Sequence, residues 1–363
     1  MSDRAPAIVV IGATGYTGRL IAHELARGDD PVILAARDPR RLATVADEVG
    51  LGRTQTVDVT DPPSLEALIR PGDVVINTAG PFTELGEPVV RACVEAGAHY
   101  FDTTGEQPFM KAIRDRYHDR ARAGGVTVVN AMAFEYALGD CAVAVAAEGA
   151  ALPLRSLDAV YAWGGTRSSR GTRSTVLLML GRRAWVRRDG RFRKRPPGAG
   201  HRSVTLASGR TLHAVGFGAG EIVTAPRYLD VREARGWLVM GSTAARLAPL
   251  LAPALPYVLP LLRPILRPIV TRPPDPTAEE RDASRFTIRI ELEAADGVRK
   301  AFEVQGRDPY GVTAAAAAYG ARRALAGETP AGVLAPAQAV EPVAFLESLA
   351  PRGVRLVPDP GGS

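Results

Sequence analysis

The chain has 363 residues, of which 46% are hydrophobic and 23% are charged, and its formal net charge is +6. That is enough apolar material for the cores of two domains. The two cysteines, Cys93 and Cys141, lie far apart in apolar surroundings, which excludes a disulfide framework and favours a reducing cytosol. Residues 1–6 contain no apolar export segment, so we expect a cytoplasmic protein.

A glycine-rich turn follows the first predicted strand, residues 8–11. In a dinucleotide-binding turn the first glycine permits a tight bend, the second lets the backbone approach the pyrophosphate, and the third lets the next helix pack on the strand. Glycines occupy all three places here, and an amphipathic helix is predicted over 20–26. We therefore predict a nucleotide site, with a structural turn as the alternative. Its residues are Gly12, Thr14, Gly15, Tyr16, Thr17 and Gly18.

The second predicted strand, residues 32–36, bears on the choice of cofactor. NAD enzymes usually end this strand with an acid that binds the ribose 2′-hydroxyl, whereas this strand ends in alanine and is followed by Arg37, with Arg40 and Arg41 close behind. Because a guanidinium suits a 2′-phosphate, the sequence favours NADP(H) over NAD. Two alternatives stay open: the arginines can be solvated charge at a helix start, and Asp38 can still reach a ribose.

Two further strand ends complete the predicted site. A third strand over 54–59 ends near Asp58, whose carboxylate can accept a hydrogen bond from the adenine amino group or cap the turn before Pro62. A fourth strand covers 73–77. Because ligands bind at the carboxyl ends of parallel strands, we expect the turn after it to line the nicotinamide half of the site. The predicted residues there are Asn77, Thr78, Ala79, Gly80 and Pro81.

The hydrophobic pattern changes along the chain. Strand and helix patterns alternate from residue 7 to about 133, which indicates a parallel sheet covered by helices. Residues 157–163 and 286–293 alternate apolar and polar side chains, as half-buried antiparallel strands do. The second of these continues through Asp296-Gly297 into a hairpin. The predicted fold class is therefore α/β, with an N-terminal Rossmann-type parallel sheet and a second α+β domain carrying an antiparallel or mixed sheet.

These patterns divide the chain into three segments. Residues 1–140 form the predicted NADP-binding Rossmann domain, and an apolar, alanine-rich helix over 135–150 links it to the next segment. Residues 141–310 form an α+β substrate and dimerisation domain, and a homodimer is one expected state. Residues 311–363 supply C-terminal helices, chiefly the alanine-rich stretch 313–326, that pack back near the nucleotide domain.

Residues 246–272 form an unusual apolar segment in which a proline recurs every three or four residues. The uncharged part, 247–262, is short for a membrane span, and the prolines are expected to break one helix repeatedly. We expect short helical pieces that cover the substrate cleft, or an interfacial patch that accepts a lipid chain, with Arg263 and Arg267 at headgroups of the inner membrane face. A buried connector between domains is the alternative.

Residues 167–202 contain twelve basic residues and a single acid, Asp189. Such a run is either a solvated face or a site for an anionic partner. The anionic partners that fit are a carrier protein with its phosphopantetheine arm, a coenzyme A tail and an anionic membrane. No nucleic-acid reading motif accompanies the charge, so no nucleic-acid partner is expected.

Several motifs can be compared with a known family. They are 12–18 (GATGYTG), 77–82 (NTAGPF), 93–100 (CVEAGAHY), 102–106 (DTTGE), 306–314 (GRDPYGVTA) and 332–337 (GVLAPA). Together they resemble the saccharopine dehydrogenase-like oxidoreductases, and within them the trans-acting enoyl reductases of actinobacterial lipid biosynthesis. The resemblance covers residues 1–140 and 275–355. Residues 134–140 (FEYALGD) depart from a Pro-Ser-Asp type segment in relatives, which bears on substrate identity.

The resemblance implies an NADPH-dependent reduction of an enoyl group on a small-molecule, lipid or polyketide-type substrate, free or carried as an acyl chain. A reduced enoyl group needs a hydrogen-bond donor for the developing enolate oxygen and a proton for the α-carbon. Tyr310 is the predicted catalytic residue, followed by Tyr136 and Glu106. The histidines show no metal-ligand spacing, so no metal is predicted.

Two other functions stay open. An amino-acid or imine dehydrogenase of the saccharopine type would need cations for a substrate carboxylate, and Arg167, Arg170 and Arg173 are candidates. The other is a non-catalytic NADP-binding protein that attaches to lipid surfaces through residues 247–270.

Overall fold

The computed structural model describes residues 4–165 and 167–359. In chain order its strands are β1 (Ile8–Ile11), β2 (Val32–Ala36), β3 (Thr54–Thr56), β4 (Val74–Asn77), β5 (His99–Asp102), β6 (Thr127–Val129), β7 (Leu154–Gly164), β8 (Ala184–Arg188), β9 (Arg191–Arg195), β10 (His201–Thr205), β11 (Thr211–Phe217), β12 (Val231–Met240), β13 (Arg285–Glu293), β14 (Arg299–Arg307), β15 (Gly332–Leu334) and β16 (Arg355–Pro358).

Its α-helices are α1 (Tyr16–Leu25), α2 (Pro39–Val49), α3 (Pro62–Leu68), α4 (Phe82–Ala96), α5 (Gln107–Ala123), α6 (Phe134–Ala147), α7 (Arg170–Leu180), α8 (Glu221–Thr224), α9 (Ser242–Leu251), α10 (Leu255–Val270), α11 (Ala278–Ala283), α12 (Pro309–Leu325), α13 (Pro336–Ala339) and α14 (Pro342–Ser348).

The described residues form two compact units, and neither is continuous in sequence. The first contains residues 4–104, 109–134 and 310–341. The second contains residues 105–108, 135–165 with 167–309, and 342–359. The sequence-based boundaries differ from this division, because the segment predicted as 311–363 is split between the two units after Glu341.

The first unit is built on a parallel sheet with the order β15-β6-β5-β4-β1-β2-β3. All its neighbouring strands pair in parallel. Every residue of β1, β2 and β4 is buried, because helices cover both faces of such a sheet and no polar alternation is needed. The order reverses between β1 and β4, and this reversal opens a ligand crevice at the carboxyl ends of the two strands.

The C-terminal part of the first unit completes this sheet. Strand β15 pairs with β6, and α12 packs on the sheet with Gly320 so close to Phe101 that a Cβ there would lie 2.9 Å from the phenyl ring. Helix α12 begins at Pro309, four residues before the predicted start, because proline is well suited to the first helical position. Five consecutive buried residues, Ala314–Ala318, show why the helix is rich in alanine: larger side chains would not fit this close contact.

The second unit carries a mixed sheet with the order β10-β11-β12-β7-β13-β14-β16. Strands β7 and β12 run parallel, and the other pairs along this path are antiparallel. The predicted hairpin is present as β13 and β14, joined through Asp296 and Gly297. Strand β7, which lies between β12 and β13, is buried from Leu157 to Tyr161 without the alternation predicted for it, so both faces of the sheet are covered there. The predicted fold class is confirmed.

The proline-rich segment differs from the prediction. The segment breaks once, between α9 and α10, as the prediction of helical pieces requires, but α10 then runs unbroken through Pro260, Pro264 and Pro268. These prolines recur every four residues, so their missing N–H groups fall on one side of the helix, where they favour bending over a break. None of the α10 residues is buried, so the alternative of a buried connector is wrong.

No single helix in the described part of the chain is long and apolar enough to cross a membrane. Helices α9 and α10 reach that length and apolarity only when they are taken together, and they are bent by 103° at the break between them.

Candidate dinucleotide site

The turn after β1 folds back on the sheet through its backbone. The Gly12 N–H donates to the Ala35 carbonyl at 2.9 Å, and the Gly15 N–H donates to the Gly12 carbonyl at 2.9 Å. Gly12 has φ +83°, a left-handed conformation that favours glycine. A Cβ on Gly12 would also lie 2.6 Å from the Thr78 hydroxyl. Position 12 therefore requires glycine, both because of its φ angle and because Thr78 leaves no space for a side chain.

Helix α1 starts directly above this turn. A Cβ on Gly18 would lie 2.3 Å from the Gly12 carbonyl oxygen, so only glycine lets the helix approach so closely. Gly15 is the N-cap residue, is extended, and supplies no side-chain acceptor to the helix start. A helix start of this kind, next to a glycine turn, binds phosphate through backbone N–H groups. The cradle formed by Gly12, Gly15 and Gly18 therefore fits a dinucleotide pyrophosphate.

The turn after β4 lies against the turn after β1. The Thr78 hydroxyl donates to the Ile11 carbonyl at 2.9 Å, and the Thr78 N–H donates to the same carbonyl at 2.9 Å. The buried Asn77 amide oxygen accepts from the Ala79 N–H at 3.0 Å. These bonds fix Asn77 and Thr78, and they leave the segment Ala79–Pro81 at the carboxyl edge of the sheet beside the crevice.

The end of β2 presents basic groups. Arg37 is exposed, and its charge contributes to the lowered pKa of Asp58, whose main cause is the hydrogen bond from the Thr60 N–H. Asp38 caps α2, because its carboxylate accepts from the Arg40 N–H at 3.0 Å and the Arg41 N–H at 3.1 Å. One oxygen of the carboxylate that was the alternative for an NAD ribose is therefore engaged by the helix start.

Arg41, which the sequence analysis named only as a basic residue close behind Arg37, contacts the glycine turn. Its guanidinium donates to the carbonyl of Thr14, inside the glycine turn, at 3.3 Å. Arg41 lies in the first turn of α2. Its side chain can therefore be placed beside the glycine turn only when the start of that helix is known. The two arginines make the β2 side of the site cationic.

Asp58 lies in a turn beyond β3, which ends at Thr56 and is shorter than predicted. One carboxylate oxygen accepts from the Thr60 N–H at 2.9 Å and from its hydroxyl at 2.7 Å. The turn-capping role that was the alternative for Asp58 is therefore present, and adenine binding stays a prediction.

Tyr310, the predicted catalytic residue, contacts the glycine turn. Its ring lies edge-on to that of Tyr16, with centroids 5.0 Å apart. Tyr16 is the first residue of α1, so the two aromatic rings mark the starts of α1 and α12 within the first unit. This places Tyr310 next to the cofactor turn, and its catalytic role stays a prediction.

The two secondary candidates belong to the second unit. The Tyr136 hydroxyl donates to the Gly218 carbonyl at 3.0 Å, and a Glu106 carboxylate oxygen accepts from the Thr175 hydroxyl at 3.4 Å. Both side chains are therefore bound within that unit.

A buried acidic cluster in the second unit was missed by the sequence analysis. Glu221 is fully buried, accepts a short hydrogen bond from the Tyr161 hydroxyl, and has a second oxygen without a hydrogen-bond partner among the described residues. Asp140 accepts from the Thr224 hydroxyl at 2.6 Å. Burial raises the pKa of Glu221 to about 8. Glu221 is therefore a buried carboxyl group that can hold a proton near neutral pH.

Gly139, in the segment 134–140, makes room for this cluster. A Cβ at Gly139 would lie 1.8 Å from a Glu221 oxygen, so glycine is needed there. In the sequence, this cluster is indicated only by a single acid, Glu221, between Gly220 and Ile222. The residues that contact Glu221 come from distant segments, so the sequence does not identify them.

Two of the three arginines proposed to hold a substrate carboxylate bind groups of the second unit, and the third, Arg170, is exposed. Arg167 forms an ion pair with Glu280 at 2.8 Å, and Arg173 donates to the carbonyls of Ser168 and Pro273. Within the described ranges, no group of three or more His, Cys, Asp or Glu side chains is placed to hold a metal ion.

The parallel sheet, the strand-order reversal and the glycine cradle define the first unit as a dinucleotide-binding Rossmann unit. Residues 8–129 match the model of the family described as saccharopine dehydrogenase NADP binding domain. The nucleotide-binding part of this chain is therefore similar to that family, and the match covers residues 8–129 alone. The match confirms the resemblance for the motifs between residues 8 and 129 and identifies NADP(H) as the cofactor.

Two curated relatives extend the comparison. A protein of Mycobacterium ulcerans named trans-acting enoyl reductase is 37% identical over 134 residues, which are 35% of this chain and 32% of that protein. The human saccharopine dehydrogenase-like oxidoreductase is 31% identical over 154 residues, which are 38% of this chain and 36% of that protein. The chain spans about a third of the length of the curated relatives it matches.

A solved structure shares the fold of the whole chain. Saccharopine dehydrogenase (L-Glu forming) from Saccharomyces cerevisiae superimposes with a TM-score of 0.64 over 98% of this chain and 100% of that chain. The sequence identity is 14%, so this likeness concerns the fold alone.

We expect Arg37→Ala to weaken NADPH binding about 10- to 100-fold and to leave NADH binding unchanged, because the lost interaction is a charge-assisted bond to the 2′-phosphate. Fluorescence titration of the purified protein with each nucleotide measures this. Arg91→Ala, an exposed arginine of α4 in the same unit, is the matched control. Equal weakening of NADPH and NADH binding would contradict the assignment of Arg37.

We expect Glu221→Gln to change how stability depends on pH. The pKa of Glu221 is raised from its ordinary 4.5 to about 8, so the folded state keeps a proton that the unfolded state loses between these values. The free energy of unfolding must therefore fall as pH rises through this window, by at most about 1.4 kcal/mol per pH unit for this group. Glutamine removes that fall.

Denaturant unfolding at several pH values between these two pKa values tests the prediction. Glu347→Gln, an exposed position of α14, is the control. If the Glu221→Gln protein loses stability with pH as steeply as the unchanged protein does, Glu221 does not carry this proton.

Proposed function

We propose that this protein is an NADPH-dependent oxidoreductase that reduces the C=C bond of an enoyl group in a lipid or polyketide-type intermediate. The glycine cradle against the β4 turn carries the cofactor part of the proposal. The relative named trans-acting enoyl reductase supports the enoyl part. The alanine that ends β2, followed by Arg37, supports NADPH over NADH.

The residues of the first unit can bind each part of the NADPH that such a reaction needs. When bound, NADPH supplies a hydride to the β-carbon of the enoyl group. Gly12, Gly15 and Gly18 let the backbone hold the pyrophosphate, while Arg37 and Arg41 offer guanidinium groups to the 2′-phosphate. In this proposal, only groups of the first unit bind the nucleotide.

The acyl group needs a different set of interactions. As hydride arrives, negative charge develops on the thioester or carbonyl oxygen, and a hydrogen-bond donor lowers the barrier there. A proton must then reach the α-carbon. We propose that the Tyr310 hydroxyl serves one of these purposes, since its ring contacts Tyr16 at the end of the cofactor turn.

Reduction of an imino acid is the main alternative reaction. It requires cations that hold a substrate carboxylate, and the candidate Arg167 and Arg173 already bind groups of their own unit. These contacts count against two of the three candidate cations, and Arg170 is the exposed one that an imino acid could use.

NADPH oxidation with a panel of an enoyl thioester, a β-ketoacyl thioester and a cyclic imino acid tests the reaction. We expect turnover of the enoyl thioester. We expect Tyr310→Phe to lower kcat by about 10²- to 10⁴-fold, because a positioned proton donor is lost, and to leave the Kd for NADPH unchanged.

Tyr117→Phe is the matched control, since its hydroxyl donates to Glu87 at 3.2 Å elsewhere in the same unit. Unaltered turnover in Tyr310→Phe would remove Tyr310 from the mechanism. Turnover of the imino acid alone would overturn the enoyl assignment.

A further inference from the structure

Helices α9 and α10 expose many large apolar side chains. Leu250 is 76% exposed and Leu261 is 79% exposed, although both are leucines in well-formed helices. The exposed set is Leu247, Leu250, Leu251, Tyr257, Val258, Leu261, Leu262, Ile265 and Ile269, which we call the apolar helix face. An exposed apolar patch of this extent marks an interaction surface.

Helix α10 is apolar on two sides. Leu255, Leu259 and Leu266 are half-buried, and α10 packs against α7 in the same unit. Leu261 and Ile265, one turn apart, lie on the side that faces outward. A surface helix of a water-facing protein carries polar residues on that side, so the outward side of α10 is adapted to an apolar medium.

The surroundings of the apolar helix face are basic. No Asp or Glu occurs in residues 234–274, whereas Arg246, Arg267 and Arg272 are exposed there. Because Arg263 and Arg267 are four residues apart, both lie along one flank of α10. A charge pattern of this kind complements an anionic surface.

A basic hairpin adjoins the same helices. It consists of β8 and β9, and a Cβ placed at Gly181, before it, would lie 3.5 Å from the Leu259 side chain of α10. A Cβ at Gly198, after it, would lie 3.7 Å from Ala252, next to α9. The Arg183 guanidinium donates to the Tyr257 hydroxyl at 3.1 Å. Exposed cations of the hairpin are Arg188, Arg191, Arg193, Lys194 and Arg195.

The prolines of α10 restrict the depth at which this helix can lie. Pro260, Pro264 and Pro268 each remove one N–H from the helical hydrogen-bond ladder. Carbonyl groups deprived of those donors need water or polar headgroups, which hydrocarbon does not supply. The helix therefore suits the boundary between headgroups and acyl chains, where apolar side chains enter the hydrocarbon and the backbone stays hydrated.

We infer that α9 and α10 dock this protein on an anionic membrane surface, with the apolar helix face in the acyl-chain boundary and the neighbouring arginines at lipid phosphates. A second copy of the chain fits this surface less well, because two such faces would bring their arginines and basic hairpins together. The docking surface belongs to the second unit and is distinct from the residues that hold the cofactor.

Vesicle flotation tests this inference with the full chain. The probes are vesicles of phosphatidylcholine alone and of equimolar phosphatidylcholine and phosphatidylglycerol. We expect the protein to float with the anionic vesicles and to bind them less as salt rises. Leu261→Glu combined with Ile265→Glu should lower binding about 100-fold or more, because two large apolar side chains no longer enter the boundary.

Leu152→Glu combined with Val298→Glu is the matched control. Both are exposed apolar residues of the same unit outside the apolar helix face, and the substitutions add the same charge. Arg246→Gln combined with Arg267→Gln should lower binding to anionic vesicles by about five-fold per arginine and should weaken the salt dependence. Unchanged thermal unfolding and NADPH binding show that each variant is folded.

Three results would overturn the inference. The first is that the unchanged protein does not float with vesicles. The second is that vesicle binding falls equally in the control and in Leu261→Glu with Ile265→Glu. The third is that the unchanged protein binds no vesicle and is a dimer, which Leu261→Glu with Ile265→Glu converts to a monomer. The last result would assign the surface to a second copy of the chain. Loss of enzymatic turnover with flotation intact would concern the proposed reaction alone.

Discussion

The close approach of two turns at the carboxyl ends of β1 and β4 is the constraint on which the cofactor site depends. Gly12 lies against Thr78 with no space for a side chain, and α1 begins so near the Gly12 carbonyl that Gly18 cannot bear one either. The hydrogen bonds from Thr78 to Ile11 hold the two turns together. The position of α1, and of the groups around its start, follows from this contact between backbones.

Sequence reasoning succeeded where local chemistry determines structure. The three glycines, the buried parallel strands and the β13–β14 hairpin each carry a short-range signal, and all of them are present. It was less successful for α10, where the helix-breaking effect of proline depends on how the prolines are spaced. The prolines of α10 were expected to break the helix, but their spacing of four residues places every disturbance on one side, and the helix continues.

Residues brought together from distant segments could not be found in the same way. Tyr161 and Glu221 are distant in sequence from each other and from Gly139, and only the fold of the second unit brings them beside Gly139 and Asp140. Arg41 reaches Thr14 because α2 starts at Pro39, which depends on the cap formed by Asp38. Asp58 was assigned two roles by its position, and the Thr60 contacts show that turn formation is one of them.

The chain crosses between the two units after Thr104, Pro108, Phe134, Pro309 and Glu341. A fragment that ended near residue 140 would lack β15, expose the edge of β6, and uncover the sheet surface that meets Gly320. The nucleotide-binding part is therefore not a detachable module. The second unit is not detachable either, because β14 pairs with β16 from beyond residue 341, so a chimera that exchanged residues 135–309 alone would leave the edge of its sheet with a strand from the other parent.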